Sequence, residues 1–235
     1  MDIVLVPGLW LDGSSWEEVV PYLDREGHRP QPVTLPGLES ADADRSEITL
    51  ADQVAAVVAV IDASRPDQKV ILVGHSAGCG IAYAALDRRP RRVARAVYIG
   101  GFPTPDGQAV AGGFPTEGGD LPMPDFAEFD DADLTDLDEN ARAAFRVRAI
   151  PSPARLATDL QRLTDASRYD VPATMVCPEF RAGDLQQWVA DGEEPVAEVA
   201  RIADVEYVDL PTGHWPQFTR PEELARLLLD AAARG

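Results

Sequence analysis

The chain has 235 residues, 45% of them hydrophobic, which is enough for one large α/β core with or without an insertion. Its 40 acidic residues against 21 basic give a formal charge of −19; such a surface repels nucleic acid and anionic membranes and says little about a small-molecule substrate. Two cysteines and three scattered histidines, with no apolar run of about 18 residues, argue against a disulfide framework, a metal site and a membrane span.

Met1 leads directly into Asp2-Ile3-Val4-Leu5-Val6, with no charged leader or cleavage signal, so a soluble cytoplasmic protein is expected. Residues 2–6 read as a buried strand, followed by the glycine-bearing loop Pro7 to Gly13. Ser14 and Glu17 have capping-box spacing and predict a helix running to about Glu26, bent at Pro21. Gln31 to Leu35 reads as a second strand, and Thr49 as the cap of a helix from Leu50 to Ala63. Lys69 to Val73 is a strand, Gly74-His75-Ser76-Ala77-Gly78 a sharp turn, and the small-residue stretch up to Arg89 a helix stopped by Pro90. Val93 to Gly100 is the next strand. This alternation of strand and helix calls for a parallel sheet covered on both faces.

At Phe102 the composition changes. Residues 103–125 are rich in Pro and Gly, and residues 125–140 are densely acidic, including Asp125, Asp130, Asp131, Asp133, Asp136 and Asp138. Helical periodicity returns at Glu139 to Arg148 and at Pro153 to Leu163. Residues 103–169 therefore read as an inserted lid between the two halves of a core, 1–102 and 170–235. The acidic run reads either as a solvated face or as a screen against anionic substrates. A strand from Ala173 to Cys177, helices over Ala182 to Ala190 and Pro195 to Ile202, a strand from Val205 to Leu210 and an amphipathic helix from Pro221 to Arg234 complete the chain.

The strand–turn–helix around Ser76 has the parts of a nucleophile elbow. Gly74 and Gly78, two before and two after the serine, let strand and helix approach closely, and the helix N-terminus favours a developing negative charge. A serine hydroxyl needs a base. His28 sits in a polar turn and the His75 side chain points away from the serine. His214, in Leu210-Pro211-Thr212-Gly213-His214-Trp215 after the last strand, stands at a carboxyl strand end where sites of open α/β sheets lie. The carboxylate that orients it should follow the preceding strand, which puts Glu179 first, with Asp184, Asp106 and the less favoured Asp209 as alternatives. The backbone N–H groups of Ala77 and Leu9 are the expected oxyanion donors, Trp10 standing in reserve for Leu9. Trp10, Phe102, Trp215 and Phe218 are candidates for an apolar substrate pocket.

The opening VPGLWLDGSSWEEVVPYLDREGHRP, TLPGL at 34–38 and LVGHSAG at 72–78 resemble the α/β-hydrolase superfamily, within it the small esterase group that includes methyl-ester esterases and hydroxynitrile lyases. The resemblance spans nearly the whole chain. It implies an α/β-hydrolase fold, no cofactor, a lid, and small hydrophobic or aromatic esters as substrates, with a monomer or homodimer both open. Two departures stand out. Pro7-Gly8 replaces the group's usual His-Gly, and CPEFRAGD replaces its usual Gly-x-x-Asp, so a glutamate has to serve as the acid or the acid has moved. The lyases of the group carry a lysine directly after the catalytic histidine; Trp215 stands there, which argues against the lyase. Ester or lactone hydrolysis is the first reading, with a cofactor-free tailoring reaction and a ligand-binding receptor on the same fold as the alternatives.

Overall fold

Alternation of apolar side chains along the strands decides which helices cover which face of the sheet. The computed structural model describes residues 1–235, in the order β1 (Asp2–Val6), α1 (Val20–Arg25), β2 (Arg29–Pro32), α2 (Leu50–Ala63), β3 (Val70–His75), α3 (Gly78–Arg88), β4 (Val93–Ile99), β5 (Asp120–Leu121), α4 (Glu139–Arg148), β6 (Ser152–Pro153), β7 (Ala173–Cys177), α5 (Ala182–Asp191), β8 (Val205–Asp209), α6 (Pro216–Thr219) and α7 (Pro221–Ala233). Six strands form one sheet in the order β2-β1-β3-β4-β7-β8, and every pairing is parallel. β5 and β6 pair separately and antiparallel.

Successive side chains of a strand point to opposite faces. Ile3, Leu5, Ile71, Val73, Val97 and Ile99 therefore share one face, where they pack with Leu23 of α1 and Leu224 and Leu228 of α7. Val4, Val6, Leu72, Ala96 and Tyr98 share the other, with Val54, Val57 and Ile61 of α2 and Ile81 and Leu86 of α3. Continuous burial on both faces is what a parallel sheet requires.

Several element bounds differ from the sequence reading. Between Gly13 and Arg25 the chain makes a 3-10 turn, Gly13–Trp16, capped by the Asp12 side chain rather than by Ser14, and α1 starts only at Val20. Pro21 then lies in the first turn, where its missing N–H costs nothing, and bends no helix. β2 begins earlier and ends at Pro32; with Pro30 and Pro32 it holds the edge position that strand prolines tolerate. Of the helix expected over 153–163 only a 3-10 turn, Ala154–Ala157, forms. Backbone bonds to residues 107–111 (Ala111 N–H to Leu156 O, Gln161 N–H to Gln108 O) displace the helical ones. The 195–202 stretch is two 3-10 turns, and Glu198 between them is drawn inward to accept from the Tyr83 hydroxyl at 2.5 Å.

Candidate active site

β3 delivers Ser76 to the carboxyl edge of the sheet through a turn that only small flanking residues permit. A Cβ on Gly74 would lie 2.7 Å from Cys79 Cα, and one on Gly78 2.3 Å from Pro7 O. Ser76 itself takes a left-handed φ of 53°, a strained conformation for a residue with a side chain. Its N–H donates to Ile99 O at 2.9 Å and its carbonyl accepts the Cys79 N–H at 2.9 Å, so the turn is fixed to β4 on one side and α3 on the other.

His214 stands between β8 and α6. Its Nε2 lies 2.8 Å from Ser76 Oγ, and its Nδ1 is hydrogen-bonded to the Glu179 carboxylate. Glu179 leaves the sheet two residues after the end of β7. The two side chains are 18% and 12% exposed, shielded enough for the contact to hold yet open to a substrate. Ser76, His214 and Glu179 are thus brought together. The other acids are engaged elsewhere: Asp184 accepts from the Arg181 N–H at the start of α5, Asp106 from the Leu163 N–H at 2.8 Å, and Asp209 from the Ala182 N–H at 2.6 Å. A serine whose hydroxyl faces an imidazole, itself held by a carboxylate, can be deprotonated as it attacks an electrophilic carbon.

The loop after β1 packs against this turn. The N–H groups of Leu9 and Ala77 donate to no carbonyl or side chain of the protein, which leaves both available to an external oxygen. The Trp10 N–H is not available: it donates to Ser152 Oγ at 2.9 Å. Ala77 also caps α3, whose N-terminal dipole points at the same place. The two cysteines are free and buried, and burial pushes the Cys79 thiol far above its usual range and Cys177 to about 12, so neither competes as a nucleophile.

The four aromatic candidates separate. Phe102 is half-buried against Phe180 and follows Gly101, where a Cβ would lie 2.6 Å from Ser76 O; it stands close to the serine. Trp10 is nearly buried, packed edge-on to Phe114 and Phe129. Trp215 is a correction to the expected pocket wall. It is buried in a cluster with Leu11, Leu134, Leu137 and Phe145, and its ring meets His214 edge-on at 5.0 Å, backing the imidazole. Phe218 is a second correction: it meets Phe145 edge-on and lines a cleft of about 300 Å³ whose walls include neither Ser76 nor His214.

Three residues near the site were given no role there by the sequence reading. His75 is fully buried, its Nε2 2.7 Å from the His214 carbonyl, and burial, with the neighbouring His214, lowers it to about 3. Asp133 accepts the His214 N–H on its backbone carbonyl, and its carboxylate belongs with Glu179 and His214 to the one cluster of oxygen and nitrogen atoms, all within 4.8 Å of one another, that has the makings of a cation site. Both ring nitrogens of His214 are already engaged by Ser76 and Glu179. Burial, with Glu179 nearby, raises the Asp133 carboxyl above its ordinary range against an opposing effect of His214. Ser152 is fully buried under Trp10. Only the position of His75 beside the serine was a signal; the other two depend on contacts between segments far apart in the chain.

The profile of the alpha/beta hydrolase family matches residues 3–227. Methylesterase 9 of Arabidopsis thaliana is 27% identical over 259 aligned positions, covering 97% of each chain. Among solved structures, a methylesterase from Arabidopsis superposes with a TM-score of 0.76 at 20% identity over 99% of both chains. An extracellular α/β-hydrolase from a Paenibacillus species gives 0.75 at 23% identity over 98% of both. At these identities the structural likeness speaks for the fold.

Proposed function

This chain belongs to the alpha/beta hydrolase family and is a hydrolase of that type, and we propose that it cleaves a small hydrophobic or aromatic carboxylic ester through an acyl-enzyme. The observation that carries the reading is the unbroken line from Glu179 through His214 to Ser76 Oγ. Ser76 Oγ attacks the ester carbon while His214 Nε2 takes its proton. Glu179 holds the Nδ1–H tautomer and offsets the charge of the imidazolium. The N–H groups of Leu9 and Ala77 receive the oxyanion, each such donor contributing about 3 kcal/mol to the transition state. As the alkoxy C–O bond breaks, His214 returns the proton to the leaving alcohol. Water then repeats the sequence on the acyl-serine and releases the acid.

The chemistry rests on the chain's own side chains and backbone and needs no cofactor. Residues 103–169 act as the lid, closing over the site with Phe102 and Trp10 as apolar walls. The names of the relatives point to methyl esters. Carboxylate-bearing substrates are disfavoured by Asp133 beside His214. The protein is expected to act in the cytoplasm on a free small molecule.

A panel of methyl and short aryl esters tests the reading. The expected result is a burst of alcohol release equal to the enzyme concentration, an added acyl mass at Ser76, and no turnover in Ser76→Ala. Turnover that survives Ser76→Ala overturns the acyl-enzyme mechanism. Tight binding without turnover by the unaltered protein overturns hydrolysis itself.

A further inference from the structure

The side chain next to the proposed nucleophile is tied to the segment that carries the proposed base. His75 ends β3 and is fully buried. Its Nε2 meets the carbonyl oxygen of His214 at 2.7 Å, and its Nδ1 meets Gln217 Nε2, in α6, at 3.4 Å. A carbonyl only accepts, so Nε2 of His75 carries the hydrogen and donates it. The ring is neutral, because a buried imidazolium 5.1 Å from the His214 ring would be disfavoured by desolvation and by His214 together. Nδ1 therefore presents a lone pair, and Gln217 turns its amide N–H toward it. This fixes the Gln217 amide, whose Oε1 is buried without a partner. Gln217 is as fully buried as His75, so the arrangement is interior and not a surface accident.

Two hydrogen bonds thus join the end of β3 to His214 itself and to the helix that follows it. Ser76 hangs from the same strand end, one residue on. The distance between Ser76 Oγ and His214 Nε2 is set by two backbones that meet through the His75 ring.

We propose that His75 is a positioning residue, whose Nε2–H bond to the His214 carbonyl, supported by Gln217, holds the His214 imidazole at attacking distance from Ser76. The proposal rests on the acyl-enzyme reading of the same site. It assigns His75 no contact with substrate and no proton transfer. Its effect is geometric: a shift of about 1 Å in a catalytic group costs about 100-fold in rate.

The test is kinetic and uses the whole chain. His75→Phe keeps the ring volume and removes both polar atoms, whereas His75→Gln places an amide N–H where Nε2–H stood. For His75→Phe the expected result is a fall in kcat of about 10- to 100-fold with KM within about twofold, and an equal fall in the rate of Ser76 modification by an aryl phosphonate. His75→Gln recovers most of both rates. Rates are referred to the folded fraction, measured by circular dichroism. A folded His75→Phe with ordinary kcat overturns the proposal, and so does a His75→Gln as impaired as His75→Phe. Should His75→Phe fail to fold, Gln217→Leu decides: it strips the support from Nδ1 without approaching the serine, and a wild-type kcat there overturns the proposal. Ser76→Ala in the same assay separates the two readings. An inactive Ser76→Ala beside a fully active His75→Phe defeats the positioning role alone, and an active Ser76→Ala defeats the acyl-enzyme beneath it.

Discussion

The backbone N–H of Trp10 donates to the hydroxyl of Ser152 at 2.9 Å, joining the loop after β1 to the short ladder of the 103–169 segment. Trp10 sits in the left-handed region at φ 65°, and two further bonds hold it there: its indole N–H donates to Leu121 O at 3.2 Å, and its carbonyl accepts the Ile150 N–H at 2.9 Å. Leu9, one residue earlier, offers the N–H proposed for the oxyanion. Removing the hydroxyl in Ser152→Ala leaves a buried N–H without a partner, which costs about 1–3 kcal/mol of stability. A lower urea midpoint is expected, with kcat falling more than KM changes, because the oxyanion loop loses its fixed end. Unaltered stability and kcat would show that Leu9 is held by other means.

Glu179 carries a sharper expectation. It is the acid on His214 Nδ1, while Asp184 and Asp106 are occupied by backbone N–H groups. Glu179→Gln preserves length but loses the charge, and its amide N–H can force the wrong imidazole tautomer. A fall in kcat of about 10³- to 10⁴-fold is expected. Asp184→Ala and Asp106→Ala should retain ordinary kcat once corrected for folded protein. A dead Asp184→Ala beside an active Glu179→Gln would move the acid.

What could be read in advance depended on how local the determining contacts are. The elbow was legible because Gly74 and Gly78 are required by the turn itself, whatever surrounds it. The alternating strands were legible because burial on both faces imposes apolar runs such as Val70 to Val73. Glu179 and His214 could be placed by position at strand ends. The failures share the opposite character. The 153–163 helix was lost to backbone bonds with residues 107–111, the site role of Trp215 to packing against Phe145, and the contact of Asp133 with His214 was hidden in a run of acids that looks uniformly solvated. Each depends on a partner segment that no local pattern announces.

Asp133 makes that last point testable. Burial, helped by Glu179, lifts its carboxyl above the ordinary range. A folded-state pKa above the unfolded one means that the folded chain holds the proton more tightly. The resulting stability is full below the unfolded value and is lost as pH rises through the folded one. At neutral pH the ionised carboxylate therefore weakens the fold. Asp133→Asn should raise Tm at pH 7 by up to about 2 °C, and the gain should vanish in acid, below the usual carboxylate range. A Tm that falls at pH 7 would mean that the carboxylate is held by a favourable contact instead.

His75 predicts the opposite limb. Its folded pKa, about 3, lies below the ordinary 6.5, so the folded chain refuses a proton that the unfolded chain accepts. Above pH 6.5 the ring is neutral in both states and contributes its full stability. Below that value the unfolded state gains, by about 1.4 kcal/mol for each pH unit down to the folded pKa. The paired carboxylates also weaken the fold in acid, but their titration is concentrated nearer pH 4. His75→Gln, which keeps the donor and cannot titrate, should therefore flatten the plot of unfolding free energy against pH between about 6 and 5, by close to one proton. Urea unfolding of both proteins across that range measures it. Parallel curves would mean that His75 takes up a proton in the folded state, which would place a buried imidazolium beside His214 and remove the physical basis for its neutral, donating role.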